Sequence, residues 1–227
     1  MESPPSTINA QDMALQNPLI LTKILQNNSV SLTSCRLVSQ FWNEVVLSLP
    51  NTRLSLKLNH NDEDCDEALQ FFGLCFSLDK RLAQRVSAES GTFSIDWRLM
   101  HICGKFGDWV QILEIYLSEE DCLKSTCQVL KYCCPNLKQL RIDCDFVDAR
   151  NVDLFPPDEE QILPVKPNLT LFTLTCLDFD PEIWFVPAIA ILIQLVVKAS
   201  PNLREVTIPW GFYPNLANSK CLESLTI

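Results

Sequence analysis

Apolar residues recur at helical spacing through the first fifty positions of the chain. Pro18 opens an apolar run that ends at Asn27, which predicts a first helix. A second run steps by three or four residues and predicts one helical face: Leu32, Cys35, Val38, Trp42, Val45 and Val46. We therefore expect a helical module over residues 15–50, after a flexible lead over residues 1–14. So small a module buries little apolar surface alone, which indicates that it packs on the rest of the chain or on a partner.

A repeated motif marks the C-terminal half. Segments that start at Cys134, Lys166 and Ser200 align without gaps, and in each a Pro-Asn-Leu sequence leads into alternating apolar and polar residues. Copies without Pro-Asn start at Val110 and Lys220, and successive copies lie 19 to 34 residues apart. This pattern predicts an α/β fold over residues 110–227, namely an irregular leucine-rich-repeat solenoid of short parallel strands with convex-side helices. We expect those helices over Glu119 to Cys133 and Pro187 to Ala199.

The polar strand positions of this solenoid are the candidate target-binding residues. Along a strand, apolar side chains point to the core while the alternate positions point to the concave face. In the three Pro-Asn-Leu repeats the candidates are Lys138, Gln139, Arg141 and Asp143; Thr170, Thr173 and Thr175; and Arg204, Glu205 and Thr207. Solenoids bind partners on this extended surface because neighbouring strands place their side chains in register.

Residues 51–109 are either a linker or degenerate first repeats. Arg53 to Leu58 and Thr92 to Trp97 alternate as strands do, and a helix-like segment, Asp66 to Phe76, lies between them. The apolar stretch Ile183 to Val197 is too short to span a bilayer and predicts a buried helix. The sequence ends at Ile227 on a repeat strand without a capping unit, so we expect a fragment or a truncated gene product.

The N-terminal module resembles the F-box family. The resemblance covers about residues 17–47 and rests on two segments, Pro18 to Leu25 and Leu32 to Trp42. The family pattern consists of a Leu-Pro start and an Ile-Leu pair, to which the first segment corresponds, and a Cys-Arg-x-Val-(Cys/Ser)-x-x-Trp helix, to which the second corresponds. One departure is Asn17, where the family has leucine. The resemblance implies a three-helix module that docks on the Skp-type adaptor of cullin–RING ubiquitin ligases. The implied adaptor-binding residues are Pro18, Leu19, Ile20, Ile24, Leu25, Leu32, Cys35, Arg36, Leu37, Val38 and Trp42. An unrelated helical bundle is the alternative.

Charge divides the chain at about residue 60. The formal net charge is −10, yet residues 1–60 carry +1 and the remainder −11. Such a balance argues against nucleic-acid and anionic-membrane partners. Two acidic runs, residues 62–67 and 143–160, are either solvated loops or a negative surface that favours a basic target protein.

The reactive side chains do not form a catalytic or metal-binding pattern. Eleven cysteines without a signal peptide indicate reduced thiols in a cytoplasmic or nuclear protein. Paired zinc knuckles are missing from the sequence, so we predict no metal and no cofactor. His60 is interpreted as a turn residue and His101 as a packed or capping one, and no catalytic motif is present, so we predict no enzyme.

The two modules together imply a substrate-recognition subunit of an SCF-type ubiquitin ligase. By resemblance, the F-box binds the adaptor, and through it the cullin and RING subunits, while the repeats bind a target protein. The alternative is a leucine-rich-repeat scaffold without a ligase.

Overall fold

Met1–Leu54 and Ser55–Ile227 form two separate units of this α/β protein. The structure is a computed structural model, and it describes residues 10–49, 54–58, 65–89, 95–119, 122–145, 162–176 and 187–227.

The described part of the N-terminal unit consists of four short helices. They are α1 (Ala10–Leu15), α2 (Pro18–Leu25), α3 (Leu32–Cys35) and α4 (Gln40–Leu47). Side chains of Asn17, Ser31 and Ser39 cap the last three helices by accepting hydrogen bonds from backbone N–H groups of the first turn. A small core fills the space between the helices, and its buried members are Leu21, Leu25, Leu32, Val45, Val46 and Leu49.

Two features of this unit go beyond what the sequence pattern specifies. The second apolar run does not form one helix, because Ser39 adopts an extended conformation (φ −163°, ψ 166°) and starts α4 anew. Serine at such a position competes for backbone hydrogen bonds and favours a helix start over a helix interior. The lead over residues 1–14 is helical from Ala10 onward, which adds a helix to the three expected; residues 1–9 lie outside the described part.

In its described residues, the second unit is built on a sheet of seven parallel strands in chain order. The strands are β1 (Leu56–Leu58), β2 (Arg85–Glu89), β3 (Ile112–Leu117), β4 (Gln139–Cys144), β5 (Leu171–Cys176), β6 (Glu205–Thr207) and β7 (Ser224–Thr226). Its helices are α5 (Cys65–Ser77), α6 (Ile95–Phe106), α7 (Cys122–Tyr132) and α8 (Pro187–Ala199), with a 3-10 helix at Lys80–Gln84. Each strand pairs only with its neighbours along the chain, so every connection leads one step across the sheet.

One continuous core lies on one face of this sheet. Apolar residues at equivalent positions meet across the strands, and Leu113, Leu140 and Phe172 are fully buried there. The helices contribute to the same core through residues such as Leu123 and Ile189. The opposite face, which we call the polar face, carries the alternate strand positions.

The Pro-Asn-Leu motif builds the turn into β4, β5 and β6. The N–H of Leu137 donates to the carbonyl of Cys134, three residues earlier, and Leu169 and Leu203 repeat this bond in their copies. The asparagine then ties its repeat to the preceding one. Nδ2 of Asn136 donates to the carbonyl of Asp108 at 2.9 Å, and Nδ2 of Asn202 donates to the carbonyl of Pro167 at 2.8 Å. Each residue of the motif therefore has a structural reason: proline sets the turn, asparagine bridges repeats and leucine enters the core.

Most of the predicted elements of this unit are confirmed. Helix α8 has the expected bounds, α5 matches the segment Asp66 to Phe76, and strands follow all five repeat copies. The predicted strand Thr92 to Trp97 is wrong, because Ile95–Phe106 is helix α6; residues 92–94 lie outside the described part. No helix among the described residues is long and apolar enough to cross a membrane.

Candidate functional site

The N-terminal unit exposes more large apolar side chains than its size explains. Six of them form what we call the apolar set: Leu19, Ile20, Ile24, Leu37, Val38 and Phe41. Leu37 is 85 % exposed and Leu19 is 75 % exposed, although Leu21 and Leu25 in the same helix as Leu19 are fully buried. An exposed apolar set on a soluble module is typical of a surface that a partner covers.

Local hydrogen bonds hold the apolar set outward. In α2, Oδ1 of Asn17 accepts from the N–H of Leu19 at 3.0 Å, which fixes the first turn. After α3, the N–H of Leu37 donates to the carbonyl of Ser34, and the N–H of Val38 donates to the carbonyl of Cys35. Both exposed residues thus lie in a hydrogen-bonded turn before Ser39 begins the next helix.

The predicted adaptor-binding residues separate into exposed, buried and half-buried groups. Pro18, Leu19, Ile20, Ile24, Leu37 and Val38 are exposed. Leu25 and Leu32 are instead buried in the unit's own core, so they hold the module together and are not available for direct contact. Cys35 and Trp42 are half-buried against that core, and the half-buried Arg36 donates from Nε to Oδ1 of Asn43 at 2.8 Å. The sequence pattern alone does not separate these groups because helix positions three and four apart share a face.

The predicted target-binding residues all lie on or beside the polar face. Gln139, Arg141, Asp143, Thr173, Thr175, Glu205 and Thr207 occupy its strand positions, alternating with buried residues. One row runs across all seven strands through the register partners Lys57, Ser87, Glu114, Arg141, Thr173, Thr207 and Thr226. Lys138, Thr170 and Arg204 precede their strands, and each carbonyl accepts two N–H groups from the next repeat.

Ion pairs neutralise much of the charge on this face. Arg85 contacts Glu114 at 2.7 Å across two strands, and Arg141 contacts Asp143 at 2.9 Å within β4. The pKa of Arg141 is raised because the Asp143 carboxylate accepts its hydrogen bond. Both signs of charge therefore occur on the described polar face, although the sequence beyond residue 60 is strongly negative overall.

Negative charge concentrates at the C-terminal ends of β2 to β4. Tyr116 lies there, and its hydroxyl donates to Asp145 at 2.5 Å. The hydrogen bond to Asp145 raises the pKa of Tyr116, with further contributions from burial and from the charges of Asp145, Glu89 and Asp143. We call Glu89, Tyr116, Asp143 and Asp145 the acidic end. Of these, the sequence singles out Asp143 as a target-binding candidate and includes Asp145 only in the acidic run 143–160. Glu89 is missed because β2 carries just two apolar residues and gives no repeat signal, and Tyr116 is missed because its place beside Asp145 depends on strand register.

Buried thiols and one buried ammonium group lie between the helices and the strands. The structure shows no disulfide among its described cysteines and no cluster of metal-binding side chains in the same residues. Nζ of Lys166 donates to the carbonyls of Cys133 and Cys134 at 2.8 and 3.2 Å, at the end of α7. Burial lowers the pKa of Lys166, against the charges of nearby thiols. Lys166 thus satisfies helix-end carbonyls of the preceding repeat.

His101 has a packing role. Its ring meets Phe72 edge-on with centroids 4.9 Å apart and meets Phe71 at 5.9 Å. This arrangement agrees with the expectation of a packed histidine, whereas His60 lies outside the described residues.

Stability should fall at alkaline pH because of Cys127. Burial raises the pKa of this thiol from 9.0 to about 12. Below pH 9 the thiol is protonated in both states, so its contribution to stability is intact. Between pH 9 and 12 only the unfolded chain releases the proton, and unfolding becomes more favourable by about 1.4 kcal/mol per pH unit, or about 4 kcal/mol in total.

Urea unfolding of wild type and Cys127→Ala at several pH values measures this contribution. The wild-type free energy of unfolding should fall more steeply above pH 9, whereas the two pH profiles should run parallel below pH 8. Parallel profiles up to pH 11 would contradict the assignment.

Comparisons of this chain with known protein families, curated proteins and solved structures identify no relative. No family model matches the chain, and no significant similarity to a curated protein or to a solved structure is found.

Proposed function

We propose that the protein is the substrate-recognition subunit of an SCF-type ubiquitin ligase, with an F-box at its N-terminus and leucine-rich repeats after it. The observation that carries the proposal is the apolar set. Its members coincide with six positions of the sequence segments that resemble the F-box, and the unit keeps a separate set of apolar residues for its own core. An unrelated helical bundle has no reason to expose these particular side chains.

In this proposal the protein performs no bond chemistry itself. The apolar set docks on the Skp-type adaptor, which links the protein to the cullin and RING subunits in the cytoplasm or nucleus. The polar face holds a target protein. Holding both at once raises the effective concentration of target lysines near the ubiquitin-charged enzyme.

The repeat interpretation is supported by the order and register of the strands. Parallel strands in strict chain order, with a recurring turn and an asparagine bridge between neighbours, are what a solenoid of short repeats requires. Neighbouring repeats then present one extended surface, and the target-binding residues proposed above are part of it.

Affinity capture from cells tests the proposal against the scaffold alternative. Tagged wild-type protein should bring down the Skp-type adaptor together with the cullin. Capture of other proteins without adaptor or cullin would contradict the ligase proposal and favour the scaffold.

The acidic end leads to a prediction about the target. A partner with a basic surface should bind there, and Glu89→Lys should weaken binding of a lysine- and arginine-rich peptide pool about tenfold, or about 1.4 kcal/mol. Glu89 is exposed at the end of β2 beside its register partner Tyr116. Rising salt should weaken the wild-type interaction as well, since surface charges are screened.

Asp108→Lys is the matched control, because it makes the same charge change at an exposed position before β3, at the opposite end of the strands. Fluorescence anisotropy with labelled peptides gives both affinities. Equal weakening by the two substitutions would show that net charge, and not the acidic end, governs binding.

A further inference from the structure

Two cysteines end neighbouring strands of the sheet in direct register. Cys144 is the last residue of β4, Cys176 is the last residue of β5, and the two are Cα partners in the parallel pairing. Neighbouring strands lie about 4.8 Å apart, which is inside the Cα separation of about 4.4–6.8 Å that a disulfide requires. A side-chain hydrogen bond joins the two thiols. Backbone position and side-chain direction therefore bring both sulfurs together.

The two thiols differ in access to solvent. Cys144 is 2 % exposed, whereas Cys176 is half-buried at the rim of the core. A reagent from solution thus reaches Cys176 more readily than Cys144.

We propose that Cys144 and Cys176 are a redox-active dithiol, which a peroxide converts to a disulfide between β4 and β5. This inference is independent of the proposed function.

The reaction balances with hydrogen peroxide as the oxidant. The Cys176 thiolate attacks one peroxide oxygen, the O–O bond breaks, and the leaving hydroxide takes the proton that Cys176 released, giving water and a sulfenic acid. The Cys144 sulfur then attacks the Cys176 sulfur, the S–O bond breaks, and the departing hydroxide leaves with the Cys144 proton as a second water. Two thiols are oxidised to one disulfide while the peroxide is reduced to two waters.

The electrostatics assign the same order of attack. The hydrogen bond with Cys144 lowers the pKa of Cys176, against the opposing effect of burial. The hydrogen bond with Cys176, together with burial and nearby negative charge, raises the pKa of Cys144. Cys176 is therefore the thiol that ionises and attacks, and Cys144 is the thiol that resolves the sulfenic acid.

A second thiol pair in the same unit provides an internal comparison. A side-chain hydrogen bond also links Cys103 and Cys134, yet these residues are only 1 % and 0 % exposed. The pKa of Cys103 is raised well above its usual value by that hydrogen bond and by burial. Both pairs thus share proximity, whereas access to solvent distinguishes Cys176 from Cys103, Cys134 and Cys144.

Peptide mapping of the peroxide-treated full chain tests the proposal. Reduced wild-type protein is treated with a graded excess of hydrogen peroxide, alkylated, digested without reductant and analysed by mass spectrometry. We expect a linked peptide pair containing Cys144 and Cys176, formed at least tenfold faster than any link between Cys103 and Cys134. Oxidation confined to other cysteines, such as the exposed Cys221, would overturn the proposal.

Single substitutions assign the two roles. Cys144→Ser keeps a hydrogen-bond donor beside Cys176 but removes the resolving thiol, so it should leave a sulfenic acid on Cys176 that dimedone labels. Cys176→Ala should leave Cys144 unlabelled. Cys221→Ala is the matched control and should leave the Cys144–Cys176 link unchanged. The order of attack would be refuted if dimedone labelled Cys144 in the Cys176→Ala variant as fast as it labels Cys176 in the variant that lacks Cys144.

Discussion

Replacing Leu19 and Leu37 by aspartate should weaken adaptor binding at least 100-fold while the N-terminal unit stays folded. The two side chains are 75 % and 85 % exposed, so their loss removes little from the unit's own core. In the complex, each leucine would leave water and contribute about 1.5–3 kcal/mol. A buried aspartate adds a desolvation cost, so a loss of more than about 2.7 kcal/mol, equivalent to 100-fold, is expected.

Thr33→Asp is the control for this prediction. Thr33 is exposed on α3 and does not belong to the apolar set, so the added charge should leave the dissociation constant within about twofold of wild type. Calorimetric titration with purified adaptor gives the affinities, and circular dichroism reports whether each variant is folded. A folded double variant that binds like wild type would remove the apolar set from the adaptor contact.

Gly107→Ala should destabilise the second unit by about 3 kcal/mol. A Cβ atom at this position would lie 2.4 Å from the carbonyl oxygen of Cys103 and 3.0 Å from the backbone nitrogen of Cys134. Both neighbours are backbone atoms, and Cys134 belongs to the turn of the next repeat. The repeats must therefore move apart locally, or the end of α6 must distort.

Gly104→Ala, three residues earlier, is the matched control and should change the stability in the opposite direction. Position 104 is exposed within α6, and a Cβ there meets no atom within 4 Å. Alanine should stabilise the helix by about 0.5–1 kcal/mol, because glycine loses more backbone freedom on folding. Urea unfolding of both variants followed by tryptophan fluorescence should give effects of opposite sign. Equal effects would show that the contact between the α6 end and the next turn is not tight.

The second unit could be predicted from sequence where its pattern is strong. Helix α8 begins at the proline that marks its first turn, and its apolar run distinguishes it from the flanking segments. Strands β4, β5 and β6 follow the Pro-Asn-Leu copies, because each turn residue has its own conformational preference. Parallel order then follows from repetition alone, since each repeat must bury its apolar face on the next.

The elements of the second unit could not be predicted where the hydrophobic pattern is short or where two periodicities compete. Strand β2 carries only Val86 and Ala88 as core residues, too few for a clear alternation. In α6, Leu99, Ile102, Cys103 and Phe106 have helical spacing, yet the alternation at Thr92 to Trp97 competes with it. The acidic end joins residues from three repeats, as in the bond between Tyr116 and Asp145, 29 positions apart. Such contacts depend on strand register, which a local pattern does not specify.

The most direct test of the central proposal is binding of the purified full chain to the purified Skp-type adaptor. Size-exclusion chromatography with light scattering should show a one-to-one complex, and calorimetry should give a dissociation constant below about 1 μM, or about −8.2 kcal/mol. The Leu19→Asp, Leu37→Asp double variant should elute as a free, folded protein beside the adaptor. Separate elution of wild type and adaptor at micromolar concentrations would contradict the proposal that this chain is a ubiquitin-ligase subunit.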